Sequence, residues 1–242
     1  DPNDPRGFVL RARTHEARGD YDAAIADADQ ALRLEPDMVL GLFARAAAYY
    51  RKGDYDRSLD DYTRLLTLEP DNTVALQLRG SLHIERGEPV PAIADLTRLI
   101  ELAPGQPAAF TTRGLAYNAD GKPDLAIRDF DEAIRRNPSD SMAFEGRGKA
   151  YAQTGAFDKA LADFDRAAEL APDFAETYKA RAMVHVLKQD YDRALADCGR
   201  AIALAPNDGA AYMVRALAYQ GKGDPARAQA DSDRAAQLGE KF

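Results

Sequence analysis

The sequence predicts an all-α fold, a solenoid of seven antiparallel helix pairs, and three observations carry that prediction. Pro36, Pro70, Pro104, Pro138, Pro172 and Pro206 stand 34 residues apart without drift, and a fixed period of that length marks a repeat array. Small residues recur at two fixed places of each unit, with a turn-forming glycine between them in all units but one. Apolar residues follow a helical period and not the alternation of a strand.

Registered on the prolines, the repeats span 5–38, 39–72, 73–106, 107–140, 141–174, 175–208 and 209–242, after a lead-in at 1–4 that is expected to be flexible. The eighth place is always small (Ala12, Ala46, Gly80, Gly114, Gly148, Ala182, Ala216), and so is the twentieth (Ala24, Ser58, Ala92, Ala126, Ala160, Ala194, Ala228). Between them fall Gly19, Gly53, Gly87, Gly121, Gly155 and Gly223, with Gln189 the exception. A glycine there ends a first helix, because it reaches positive φ without a Cβ clash. The Asp or Pro that follows, as in Asp54-Tyr55 or Asp224-Pro225, opens a second helix. The proline of the frame stops it. One such pair cannot close a core, so the pairs must stack into one continuous array.

Individual units depart from the pattern in readable ways. The first carries Ala28 where others have Tyr62, Phe130 or Phe164. The third places Pro89 and Pro91 in the first turn of its second helix, where the missing N–H groups have no helical partners anyway. The sixth has Cys198 at the Phe place. The seventh has Glu240 in place of the proline, and Gln229 and Ser232 where Leu195 and Cys198 stood; it reads as a terminal helix over 224–238 with a polar outer face and a frayed end at 239–242.

Net charge is −8 and the isoelectric point near 5.0, which argues against a nucleic-acid partner. No apolar run approaches the roughly 20 residues that span a bilayer, and no signal peptide is visible. Because the chain begins at Asp1 it is expected to be a processed or excised form of a soluble protein, cytoplasmic or, if a signal peptide preceded it, periplasmic. The single Cys198 excludes an internal disulfide.

No catalytic site, metal or cofactor is expected. His15, His83 and His185 all take the eleventh place, which is Tyr in the other units, and lie whole repeats apart, too far to share a metal. Cys198 sits at an inward place and reads as packing. The segment at 147–150 lacks the glycine spacing of a phosphate loop. Asp129 and Asp131 lie about 200° apart on a helix, so they do not converge on calcium. Two charged columns are invariant within the chain: Arg11, Arg45, Arg79, Arg113, Arg147, Arg181 and Arg215 at the seventh place, and Asp27, Asp61, Asp95, Asp129, Asp163, Asp197 and Asp231 at the twenty-third. These places lie at one height in an antiparallel pair. Structural ion pairs, exemplified by Arg113 with Asp129 and Arg147 with Asp163, are therefore expected, in preference to a ladder of ligand-binding arginines.

The pattern of small eighth and twentieth places, an aromatic eleventh and a closing proline resembles the tetratricopeptide repeat family over essentially the whole chain. It departs from that family in lacking Trp at the fourth place and in carrying Arg at the seventh. The resemblance implies a right-handed superhelix whose first helices line a concave groove that holds a peptide or partner protein. By the same resemblance, the second, fifth, ninth and twelfth places face the groove. They comprise Leu40, Phe43 and Tyr50, then Gln77 and Ile84, Thr111 and Asn118, Glu145 and Lys149, Lys179 and Met183, and Met213. An apolar half over the second to fourth repeats is expected to lead into a mixed-charge half over the fifth and sixth. The function expected is a non-enzymatic interaction module or scaffold binding a protein or peptide segment. The alternatives are the regulatory repeat region of a larger enzyme and a scaffold that self-associates through its ends.

Overall fold

Residues 4–239 are described in this computed structural model of the chain, and among them there are fourteen helices and no strand. In order they are α1 (Pro5–Ala17), α2 (Tyr21–Leu34), α3 (Val39–Lys52), α4 (Tyr55–Leu68), α5 (Thr73–Glu85), α6 (Pro89–Leu102), α7 (Pro107–Ala119), α8 (Pro123–Arg136), α9 (Ser141–Gln153), α10 (Phe157–Leu170), α11 (Ala175–Leu187), α12 (Tyr191–Leu204), α13 (Gly209–Gly221) and α14 (Pro225–Gln237). Odd-numbered helices are the first helices of the repeats and even-numbered ones the second.

Local chemistry sets the boundaries. Asp20, Asp54, Asp190 and Asp224 cap second helices by accepting from the amides of Ala23, Arg57, Arg193 and Arg227. The turn glycines adopt φ between +68° and +82°, and Gln189 takes the same left-handed conformation at +63°. Asp4 is the N-cap of α1, accepting from the Arg6 amide at 2.9 Å, so the expected flexible lead-in stops short of it. Residues 1–3 of that lead-in, Glu240 and the rest of the expected frayed end past Gly239 lie outside the described residues.

The chain divides into two compact units at Asp120/Gly121, inside the fourth repeat, so α1–α7 belong to one and α8–α14 to the other. Within each unit a second helix packs on its own first helix and on the next one, as α2 does on α1 and α3. First helices also approach the following first helix (α1 and α3, α5 and α7, α9 and α11, α11 and α13). Among the described residues no second helix comes comparably near the next second helix. The first helices thus form the closer-spaced side of each unit.

Pairs close where small residues meet. The hydroxyl of Ser58 donates to the Ala46 carbonyl at 2.9 Å, which fixes the separation of α3 and α4 at the eighth and twentieth places. Cys198 is fully buried, and burial pushes its thiol up to about 12, as suits packing and not nucleophilic chemistry. On α14, Gln229 is exposed and Ser232 turns its hydroxyl back to the Ala228 carbonyl, so this outer face is polar.

Candidate functional site

The charged columns form a ladder inside the solenoid wall. Arg11, Arg45, Arg79, Arg147, Arg181 and Arg215 each grip the aspartate of their own repeat through Nε and Nη2, with distances of 2.5–2.8 Å. These aspartates, Asp27 to Asp231, are buried, and bidentate pairing offsets the cost of burying a carboxylate. Hydrogen bonding to Arg11 holds the Asp27 carboxyl below its ordinary value.

A further partner escaped the sequence reading. Nη1 of the arginine reaches back to the twenty-fifth place of the preceding repeat: Arg45 to Asp29, Arg79 to Thr63, Arg113 to Thr97, Arg147 to Asp131 and Arg181 to Asp165, over 2.6–3.2 Å. Asp131 is thus a link between repeats. Arg113 and Asp129 have one member in each compact unit.

On the first-helix side of residues 1–120, an open apolar pocket of about 360 Å³ is lined by Val9, Arg13 and Glu16 of α1, Val39, Leu40, Phe43, Ala44 and Ala47 of α3, and Asn72 and Val74 at the start of α5. Leu40 is 61% exposed and Val74 53%, so the wall presents apolar surface to solvent. The pocket shares Arg13 and Glu16 with an open basin of about 590 Å³ that Arg51 also lines. Arg51 lies 4.0 Å from Glu16, and Arg13 meets no carboxylate at ion-pair distance among the described residues.

Of the residues expected to face a groove, the pocket brings together Leu40 and Phe43. Phe43 is half-buried, packed on the core with its ring edge-on to Tyr62 at 6.0 Å, so it is a wall residue and a core residue at once. Tyr50 is exposed but committed, its hydroxyl donating to Glu85 at 2.7 Å, a bond that raises its pKa. Gln77 and Ile84 are half-buried outside the pocket, Ile84 against the core. Thr111 is buried and Asn118 half-buried. The missed residues Val9, Arg13 and Glu16 stand at the fifth, ninth and twelfth places of the first repeat, so the signal for them was present.

The expected mixed-charge half is a closed network and not a set of free charges. Lys149 bridges Glu145 at 2.8 Å and Glu176 at 3.1 Å, and Lys179 bridges Glu176 at 2.6 Å and Asp208 at 2.9 Å. Glu145 is buried and also accepts from the Thr177 hydroxyl at 2.9 Å. Burial alone would lower the Lys149 pKa, yet Glu145 and Glu176 raise it. Burial would likewise raise the pKa of Glu176, but Lys179 and Lys149 bring it below the usual value. Met183 and Met213 are half-buried, Met183 against the cluster of Ala182, Cys198 and Val214.

The histidines face acids across the turn: Nδ1 of His15 lies 3.8 Å from Asp20, that of His83 2.8 Å from Glu88, and that of His185 3.9 Å from Asp190. Among the described residues no group of His, Cys, Asp and Glu could hold a metal, and no helix is long and apolar enough to cross a membrane.

Stacked helix pairs with an accessible apolar pocket on the first helices define a helical-repeat protein. Its sequence matches the profile of the tetratricopeptide repeat over residues 9–73, 43–107 and 111–173, more than half of the chain, and the chain belongs to that family. Among solved structures, a tetratricopeptide repeat protein from Parabacteroides merdae ATCC 43184 superposes with a TM-score of 0.84 at 23% identity, covering 98% of this chain and 94% of that one. The MamA protein gives 0.64 at 25% identity over 71% of this chain and 94% of its own. YrrB, described as a TPR protein with an unusual peptide-binding site, gives 0.65 at 22% identity over 73% of this chain and 91% of its own. A comparison with curated proteins gave no match.

Proposed function

We propose that the chain is a non-enzymatic interaction module that holds a partner segment against α1, α3 and α5. A large apolar side chain of the segment fills the pocket of Val9, Leu40, Phe43, Ala47 and Val74, and adjoining acidic residues lie over Arg13 and Arg51. The observation that carries this reading is the pocket itself. It sets exposed leucine and valine beside a basin in which three arginines, Arg13, Arg18 and Arg51, face one glutamate, on a chain whose net charge is −8. A few buried apolar anchors dominate binding of this kind, and flanking charges steer it. The peptide-binding site named for YrrB is consistent with such a use of the fold.

The test is a panel of synthetic peptides, each with one Leu or Phe beside three acidic residues, titrated against the chain and its variants. Leu40→Glu with Val74→Glu should weaken the best peptide by about thirtyfold, the loss of a central anchor worth about 2 kcal/mol. Both residues are exposed, so folding should be retained, whereas Phe43→Ala would also strip packing from Tyr62. Arg166→Ala, on a second helix, is the control. A panel without saturable binding, or equal affinity for the groove variant and the control, overturns the proposal.

A further inference from the structure

The eleventh place carries a Tyr in four repeats, and in three of them a cation from the nineteenth place covers its ring. Arg57 lies over Tyr49 at 4.5 Å from the ring centre, Lys159 over Tyr151 at 5.3 Å and Arg227 over Tyr219 at 4.9 Å. Of the repeats with His at the eleventh place, the first and third have Ala23 and Pro91 at the nineteenth. The sixth alone combines a histidine with a cation, His185 with Arg193. Among the described residues no ring lies under Arg193. Its side chain is 73% exposed, and its one ionic partner there is Asp190, at 3.4 Å.

An open cavity of about 480 Å³ stands at this point, between α10 and α12 and wholly within residues 121–242. Leu161 and Ala162 of α10 and Ala196 of α12 give it apolar walls, and Arg193 lines it with them. His185, itself only 6% exposed, belongs to the lining. Neither of its ring nitrogens has a hydrogen bond from the described residues. Nδ1 is buried 3.9 Å from Asp190, and Nε2 lies 3.9 Å from Asp197. Asp197 lines the cavity and Asp190 does not, so Nε2 is the nitrogen on the cavity side. Burial lowers the pKa of the imidazole and keeps it neutral near neutral pH. The surrounding charges are mostly engaged, Arg181 with Asp197 and Asp165, and Asp158 with Lys188. An anion beside Arg193 would also face three aspartates, and a cation would face two arginines. A neutral ring with one polar atom meets neither objection.

We propose that this cavity is a binding site for a tyrosine side chain of another protein. The phenol lies under Arg193, as the chain's own rings lie under Arg57 and Arg227, and rests on Leu161, Ala162 and Ala196. Its hydroxyl hydrogen-bonds to Nε2 of His185, which gives a buried imidazole the partner it lacks. The array itself names the occupant. Where the eleventh place supplies a phenol the cation is covered from within, and where it supplies an imidazole both cation and cavity stay open. The site draws on α10, α11 and α12 and on no residue of the pocket along α1, α3 and α5, so the two proposals fail separately.

The probe is the capped tripeptide acetyl-Ala-Tyr-Ala-amide, titrated against the full chain. With three histidines in the sequence, the imidazole Cε1–H signals in a proton–carbon NMR spectrum report on each ring separately, and His185→Tyr assigns the one at issue. The His185 signal should move saturably, with a dissociation constant below about 1 mM, while those of His15 and His83 stay in place. Phe for Tyr in the probe should weaken binding about fivefold through the lost hydrogen bond, and Arg193→Ala about threefold through the lost cation. Arg193 is exposed, so that variant keeps its fold. Arg227→Ala, at the same place one repeat on, and Leu40→Glu, in the groove, should change nothing. His185→Tyr puts the chain's own phenol under Arg193 and should abolish binding, read from the line widths of the probe's ring protons. No saturation up to about 5 mM overturns the proposal, as does binding indifferent to Arg193→Ala or equal affinity for a probe with Leu in place of Tyr. So does tighter binding of p-cresol than of the tripeptide, because the ligand would then be a free phenol and not a partner's side chain.

Discussion

Gly146 sits in the middle of α9, where alanine would ordinarily stabilise a helix by about 1 kcal/mol. Here the neighbour decides the sign. An added Cβ would stand 2.3 Å from Cζ and 2.6 Å from Cε1 of Phe130, whose ring is fully buried. Ordinary contact begins near 3.4 Å, so ring or helix must move by about 1 Å within a close-packed interior, and overpacking of that kind costs about 1–3 kcal/mol. With a rigid ring the upper end applies, and Gly146→Ala should lose a net 2 kcal/mol or so, roughly 4–8 °C in Tm for a chain of this size. Gly199 supplies the control: it lies in α12, exposed, and a Cβ there would meet nothing within 4 Å. Gly199→Ala should therefore gain about 0.5–1 kcal/mol from helix propensity alone. Urea titration followed by circular dichroism reads both variants. Adding Phe130→Leu to Gly146→Ala should cost at least about 1 kcal/mol less than the sum of the single changes, because they relieve one clash. If Gly146→Ala stabilises as Gly199→Ala does, the contact between α8 and α9 is not close and the reasoning fails.

Gln189 holds a left-handed turn at φ +63° that glycine occupies in the other repeats, so Gln189→Gly should raise stability by about 1 kcal/mol, and an unchanged urea midpoint would refute the strain. Burial lowers the pKa of His185 beneath 6.5, against the opposing influence of Asp197 and Asp190 and with the help of Arg181 and Arg193. The folded state then resists a proton that the unfolded chain accepts, so this contribution is complete above pH 6.5 and is lost as pH falls from there to the folded value. Thermal melts across that window should show a decline that is shallower in His185→Tyr, which installs the residue found at this place in four repeats; identical slopes would exclude His185 as the source.

Helix ends were legible in the sequence because each rests on a residue with a strong local preference: the turn glycines, the capping aspartates, the closing prolines. The Arg and Asp columns were visible too, since places seven and twenty-three face each other in any antiparallel pair that turns at the fifteenth. The link from Arg45 to Asp29 or from Arg147 to Asp131 was not, because it depends on how one repeat is rotated on the next, which no single unit records. The groove residues were read less well. Place alone could not say that the Tyr50 hydroxyl is taken up by Glu85, or that Glu145 is buried under Lys149 and Thr177. Those outcomes turn on the length and charge of neighbours a repeat away. Val9, Arg13 and Glu16 keep the register of the groove places, although the second helix of their repeat departs from the pattern at Ala28.

The periodic charges and the candidate binding surfaces are connected by subtraction. Aspartates at the sixteenth place cap helices, those at the eighteenth pair with the next repeat, and those at the twenty-third and twenty-fifth are held by arginine. Arginines at the twenty-sixth place pair in turn with acids at the thirty-third place before them, as Arg64 does with Asp37 and Arg98 with Asp71. A net charge of −8 therefore describes the chain poorly as a ligand would meet it, since most of its charge is spent on holding the repeats in register. What can answer a partner is what the register leaves unspent. Among the described residues of the first repeat that is Arg13 and Arg18, which line one open basin with Arg51, beside the exposed apolar surface at Leu40. The consensus places build the solenoid. Recognition falls to the places where the consensus lapses.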